Sequence, residues 1–208
     1  MAMPNSSLRR PAVLLATLLG FAVLAVVAGQ RRDDYDTPLH MAAKRGDPTE
    51  VQELLDQGSE LNKQGAGGQT PLMAACLGGS SDVVKVLLMA GADPTISEND
   101  GYTPMHAGGF QGHASVIKAL AQVGLDPLDM HEDGFTGMHR ACWGNEQHHT
   151  DAVRQFLKAG VPPNIQSKDG KTCMDMTHNE ATKKFVTTWI KNKEKKEKKA
   201  AEKAEKEL

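Results

Sequence analysis

The chain predicts an all-α solenoid of short stacked helical units, and three observations carry that prediction. The first is a recurring hexapeptide: Thr37-Pro38-Leu39-His40-Met41-Ala42, Thr70-Pro71-Leu72-Met73-Ala74-Ala75, Thr103-Pro104-Met105-His106-Ala107-Gly108 and Thr136-Gly137-Met138-His139-Arg140-Ala141. Its threonines are 33 residues apart, and a fainter copy, Thr172-Cys173-Met174-Asp175-Met176-Thr177, follows after 36. A constant period of this length is the mark of stacked supersecondary units. The second is helix-start chemistry, threonine as an N-cap with proline at the first helical position. The third is composition. Only 4% of the 208 residues are aromatic, which suits many small helices closed by Ala, Leu, Val and Met.

The elements follow in order. After Thr37 and Pro38, Leu39, Ala42 and Ala43 point inward, and Gly46 ends the first helix. Pro48 to Leu55 forms the second, with Val51, Leu54 and Leu55 apolar at helical spacing, and Gly58 terminates it. Gly79, Val84, Leu87, Leu88 and Gly91 keep this register in the second unit, and Gly112, Ile117, Leu120, Ala121 and Gly124 in the third. There Gly108-Gly109 replaces alanines, so the helix is expected to be weaker by about 1 kcal/mol per glycine, either a locally loosened unit or a change without consequence. Asp100-Gly101, Asp133-Gly134 and Asp169-Gly170 supply turns before each new threonine, with Gly67-Gly68 serving the first junction.

In the fourth unit Gly137 takes the place of proline, and three extra residues fall within Asn145-Glu146-Gln147-His148-His149-Thr150. They are expected to lengthen the inter-helix loop, as a surface insertion or a binding loop. The fifth unit has Asp175 where histidine stood, yet Val186, Trp189 and Ile190 keep an apolar stripe, as a C-terminal cap requires. Residues 191–208 are polar, and Glu194–Lys198 and Glu202–Lys206 can support a solvated helix.

The T-P-L-H-x-A pattern at 33-residue spacing resembles the ankyrin repeat family, over residues 33 to about 190. The resemblance implies paired antiparallel helices with β-hairpin-like loops in about five repeats, 33–66, 67–99, 100–132, 133–168 and 169–190. Residues 1–32 precede them and the Lys/Glu-rich tail 191–208 follows. It also implies that His40, His106 and His139 bond the neighbouring loop backbone, and that first helices and loop tips line a concave face for a protein partner.

No enzyme is expected. The histidines at the repeat position cannot converge on one metal, and no H-E-x-x-H, G-x-S-x-G or P-loop is present. His148 and His149 are adjacent and expected to splay apart. A metal set of both with Cys142 is conceivable but not favoured, and no cofactor is implied. Cys76, Cys142 and Cys173 form no CxxC, so they read as reduced, buried fillers, suited to a cytosolic setting.

Charge separates the regions. Residues 33–190 carry 12 basic and 21 acidic side chains, net -9, which argues against nucleic acid and for a partner with a basic segment. Residues 1–32 carry four arginines and no acid, and Ala12 to Gly29 is almost wholly apolar. Eighteen helical residues span about 27 Å, near a bilayer core. The expectation is a single-pass membrane protein tethered through residues 12–29, its repeats cytosolic and monomeric. The alternative is a cleaved signal peptide ending near Val27-Ala28-Gly29, leaving a secreted or ER-lumenal structural or chaperone-like repeat protein. Glu205-Lys206-Glu207-Leu208 loosely resembles an ER-retrieval tail, with Lys206 where the usual signal has Asp.

Partner-binding candidates are the residues that differ between copies. Lys44, Leu77, Phe110 and Trp143 form one ridge, Arg140 sits three residues earlier on the neighbouring side, and Tyr102 and Phe135 follow the Asp-Gly turns. Aromatic and arginine side chains dominate protein interfaces, which makes Phe110 and Trp143 the leading pair.

Overall fold

A computed structural model describes residues 35–206, and contacts divide the chain into two units, Met1–Tyr35 and Asp36–Leu208. Among the described residues of the second unit, helices come in consecutive pairs. They are α1 (Pro38–Arg45) with α2 (Pro48–Asp56), α3 (Pro71–Gly78) with α4 (Ser81–Met89), and α5 (Pro104–Phe110) with α6 (Ala114–Gln122). Then come α7 (Gly137–Cys142) with α8 (Gln147–Lys158), and α9 (Cys173–Met176) with the long α10 (Glu180–Lys206). Each first helix packs on the next first helix, and each second helix on the next second helix. This is an all-α architecture with repeat-like helix pairing.

Two ladders of side chains make the core. Leu39, Leu72, Met105 and Met138, each two residues after its threonine, are 0–1% exposed. Val51, Val84, Ile117, Val153 and Val186 do the same for the second helices, all at 0%. Full burial of one such side chain stabilises by about 1.5–3 kcal/mol, so the period is a period of burial.

Two of the three threonine–histidine pairs join a unit to its neighbour, whereas in the Thr103–His106 pair Nδ1 meets Thr103 Oγ1 at 2.8 Å and Nε2 is buried without a hydrogen-bond partner. The Thr37 backbone N–H donates to His40 Nδ1 at 3.1 Å, which leaves the proton on Nε2 to reach Gln69 O at 3.0 Å. Thr136 and His139 repeat this at 3.2 Å, with Nε2 on Ile165 O at 3.2 Å. Burial holds the His139 imidazole below its usual pKa, in keeping with a neutral scaffolding role. Asp175, which replaces histidine in the fifth unit, keeps the same cap: Thr172 N–H and Oγ1 donate to Oδ2 at 2.8 and 2.7 Å.

The loops between pairs are hairpin-like, each closed by a backbone bond: Gly65 N–H to Gln69 O, Glu98 to Tyr102, His131 to Phe135 and Ser167 to Lys171, at 2.8–3.1 Å. One isolated antiparallel bridge, Met130 with Thr136, accompanies them. Gly101, Gly134 and Gly170 take φ of 83°, 90° and 74° at the turns, where a side chain would be strained.

Several expectations are corrected. Gly108-Gly109 does not loosen the third unit. A Cβ on Gly109 would run into the Gly137 carbonyl, so α5 and α7 meet backbone to backbone, and both glycines of that contact are required. Gly137 lacks its proline for a related reason: a Cβ there would lie 2.7 Å from the Phe156 ring. The three extra residues lengthen helix rather than loop, because α8 begins at Gln147 and contains His148, His149 and Thr150. The two histidine rings do not splay but lie 4.2 Å apart.

The cysteines are corrected too. Cys142 and Cys173 form a disulfide joining α7 to α9, with Cα atoms 5.5 Å apart, while Cys76 is free and buried. Burial pushes the Cys76 thiol far above its usual pKa, which makes it inert. The disulfide overturns the reduced-thiol reading, and with it the argument for cytosolic repeats. It also removes Cys142 from any metal set with His148 and His149.

Membrane tethering is corrected as well: among the described residues, no helix is long and apolar enough to cross a membrane. The reading of residues 1–32 as anchor or signal, and the membrane contact through 12–29, lie outside the described residues.

Candidate partner-binding groove

Residues along α3, α5 and α7 and in the loops that precede α3 and α5 enclose an open groove of about 270 Å³. Met73 and Leu77 come from α3, Ala107 and Phe110 from α5, and Arg140 from α7, while Gln69, Glu98 and Tyr102 come from the loops. The helix caps explain the arrangement. Each threonine fixes where its helix starts, so residues seven positions on, Leu77 and Phe110, emerge side by side at the far end.

The predicted residues divide into three groups. Leu77, Tyr102, Phe110 and Arg140 line the groove together, with Phe110 57% exposed at its edge. Phe135 and Trp143 stand behind Arg140: their rings meet edge-on at 5.1 Å, and Trp143 is 39% exposed. Lys44 is exposed and lines no part of the groove.

Arg140 is only 6% exposed, far more buried than a position beside the ridge suggests. Its Nη2 donates to Asp133 Oδ2 and, at 3.0 Å, to the Tyr102 hydroxyl, while Nε is buried without a hydrogen-bond partner. Three ring faces surround the guanidinium, Trp143 at 4.7 Å, Tyr102 at 4.8 Å and Phe135 at 5.5 Å. Cation–π contact of this kind strengthens as water is excluded. Burial acts against the Asp133 carboxylate, but hydrogen bonds from His131, Arg140 and the Phe135 N–H outweigh it and bring its pKa to about 2.

His131 extends this cluster into the next loop. Its ring stacks on Tyr102, with centroids 4.1 Å apart and planes within 5°. Its Nε2 donates to Asp100 O at 2.6 Å. Neighbouring loops elsewhere use a backbone bond for this purpose, Asn99 N–H to Gly67 O at 2.9 Å and Lys168 N–H to Gly134 O at 3.1 Å. Burial alone would lower the His131 pKa, but the Asp100 carbonyl and the Asp133 carboxylate prevail and raise it. A raised folded pKa stabilises most below the unfolded value, near 6.5, and the effect is lost as pH rises through the folded one. The His131 ring is therefore expected to titrate by NMR above the ordinary histidine range. The thermal stability of the wild type relative to His131→Asn is expected to fall as pH rises above about 6.5; a midpoint at or below that value would refute this.

A second series of contacts had no warning in the hexapeptide. His113 Nε2 reaches Leu77 O at 3.2 Å, and His149 Nε2 reaches Phe110 O at 3.3 Å. Asn179 Nδ2 reaches Glu146 O at 3.2 Å. His113 and His149 are one repeat apart once the three-residue insertion is counted, and that spacing is the signal that would have found them. They fix the helix ends that bear Leu77 and Phe110.

Residues 14–98 match a family model described as ankyrin repeats (3 copies). Over that span the chain belongs to the ankyrin repeat family. Ankyrin-repeat domains are non-catalytic scaffolds. The matched span begins at residue 14, inside the apolar run 12–29, which lies outside the described residues. Gln69, Met73, Leu77 and Glu98 fall within the matched ankyrin segment, and Tyr102, Phe110 and Arg140 lie beyond it. No curated protein matches the chain significantly.

Proposed function

We propose that this chain is an ankyrin solenoid of about five units, 33–66, 67–99, 100–132, 133–168 and 169–190, which captures a segment of another protein in the groove and acts as a structural or chaperone-like repeat protein in an oxidising compartment. The observation that carries the binding role is Phe110, a large ring 57% exposed beside Leu77 at the mouth of an apolar groove. The five-unit reading is supported by the shared threonine caps and by the valine and isoleucine ladder, which runs on through Val153 and Val186. The Cys142–Cys173 disulfide supports the secretory lumen or the exterior, because such bonds persist where glutathione and thioredoxin do not reduce them.

The test pairs Leu77→Ala with Phe110→Ala. Neither side chain is in the buried core, so the melting temperature is expected to stay within about 2 °C of wild type while partner capture falls about tenfold or more. Capture that survives the double change, or a collapse in melting temperature, would remove the groove from consideration. Trp143 is left intact because it supports Arg140.

A further inference from the structure

We propose that the groove takes one long basic side chain, arginine or lysine, from an extended protein segment, with its stem over Leu77, Phe110 and Tyr102 and its cation on Glu98. This rests on the groove being the partner-binding face. The argument is a charge balance. The Arg140 charge is already neutralised: Asp133 pairs with it, the Tyr102 hydroxyl takes a further donor, and rings cover its faces, so that only Nε lacks a partner. Burial, opposed by the Asp129 carboxylate, keeps the His106 pKa below its usual value, so that imidazole adds no positive charge. Glu98 differs from both. It is half-buried, its Oε2 accepts the neutral Gln69 amide at 2.9 Å, and none of the ion pairs among the described residues includes it.

The groove therefore holds one uncompensated negative charge beside an apolar floor. An acidic side chain would meet a like charge, and an aliphatic one would strip water from Glu98 without replacing its hydrogen bonds. A long stem ending in a cation satisfies floor and carboxylate together. The groove, about 270 Å³, has room for one such side chain. The net charge of -9 on residues 33–190 would steer a basic segment inward.

The experiment selects a displayed library of random 12-residue peptides on the immobilised full chain, on Glu98→Gln and on Glu132→Gln. Glu132 is exposed, outside the groove lining, and controls for general acidity. The expected result is Arg or Lys enriched at one fixed position on the wild type and on Glu132→Gln, and lost on Glu98→Gln. Replacing that arginine by citrulline in a synthetic copy of the best peptide should weaken wild-type binding about tenfold or more and leave binding to Glu98→Gln nearly unchanged. Acidic or purely apolar enrichment, or a basic preference indifferent to Glu98, overturns the inference and leaves the binding face standing. Retention of no peptide by any of the three proteins overturns both.

Discussion

Replacing both Cys142 and Cys173 by alanine is expected to destabilise the C-terminal repeats by about 3–4 kcal/mol, the loop-closure value for a bond spanning about 31 residues. For a unit of this size that corresponds to a melting temperature lower by roughly 10 °C. The bond joins α7 to α9, a four-residue helix with few contacts of its own, so its loss is concentrated where packing is thinnest. Reductant is expected to move the wild-type unfolding curve onto that of the double variant and to leave the variant unmoved. Maleimide labelling of protein denatured without reductant is expected to count one thiol, Cys76. Three labelled thiols in protein taken directly from its cell would show that the bond does not form there, and the assignment to an oxidising compartment would go with it.

Gly109→Ala is expected to lower stability by about 2 kcal/mol, against the direction of helix propensity. Alanine is favoured over glycine inside a helix by about 1 kcal/mol. Here its methyl would fall on the Gly137 carbonyl, and backbone cannot swing aside as a side-chain tip does. Overpacking of this kind costs about 1–3 kcal/mol or more. The adjacent Gly108→Ala supplies the comparison: its methyl would meet the Ile117 and Val116 side chains at 3.2 and 3.5 Å, so a change near zero is expected. Urea unfolding of the two variants measures both. If Gly109→Ala proves neutral or stabilising, α5 and α7 are not in backbone contact.

Much of the fold was legible because the threonine caps and the apolar ladders recur at the stacking period. A residue that repeats with the units almost has to do the same work in each. The histidines could be read as scaffolding for this reason, and Asp175 fits the same logic once its bonds to Thr172 are seen. What escaped were contacts between different phases of the repeat. Cys142 lies six residues after its threonine and Cys173 one after its own, so the register gives no reason to pair them. The insertion was countable, but not its conversion into the first turn of α8, which depends on His149 and Thr150 finding Phe110 O and Thr182 across the stack. The groove was partly legible. Leu77 and Phe110 stood out as variable residues at one position, whereas the burial of Arg140 depends on three rings and a carboxylate drawn from loops.

The last helix gives these repeats two electrically separate ends. From Lys191 to Lys206 every residue of α10 is exposed, and 16 residues of helix extend about 24 Å. At physiological ionic strength the Debye length is about 8 Å, so the lysine-rich tip lies roughly three screening lengths from the last packed turn. At that distance the acidic repeats and the basic tip therefore scarcely neutralise or attract one another in solution. A polyanion meeting the tip and a polycation meeting the groove would each encounter a local field of the opposite, attracting sign, although the chain as a whole carries only -2.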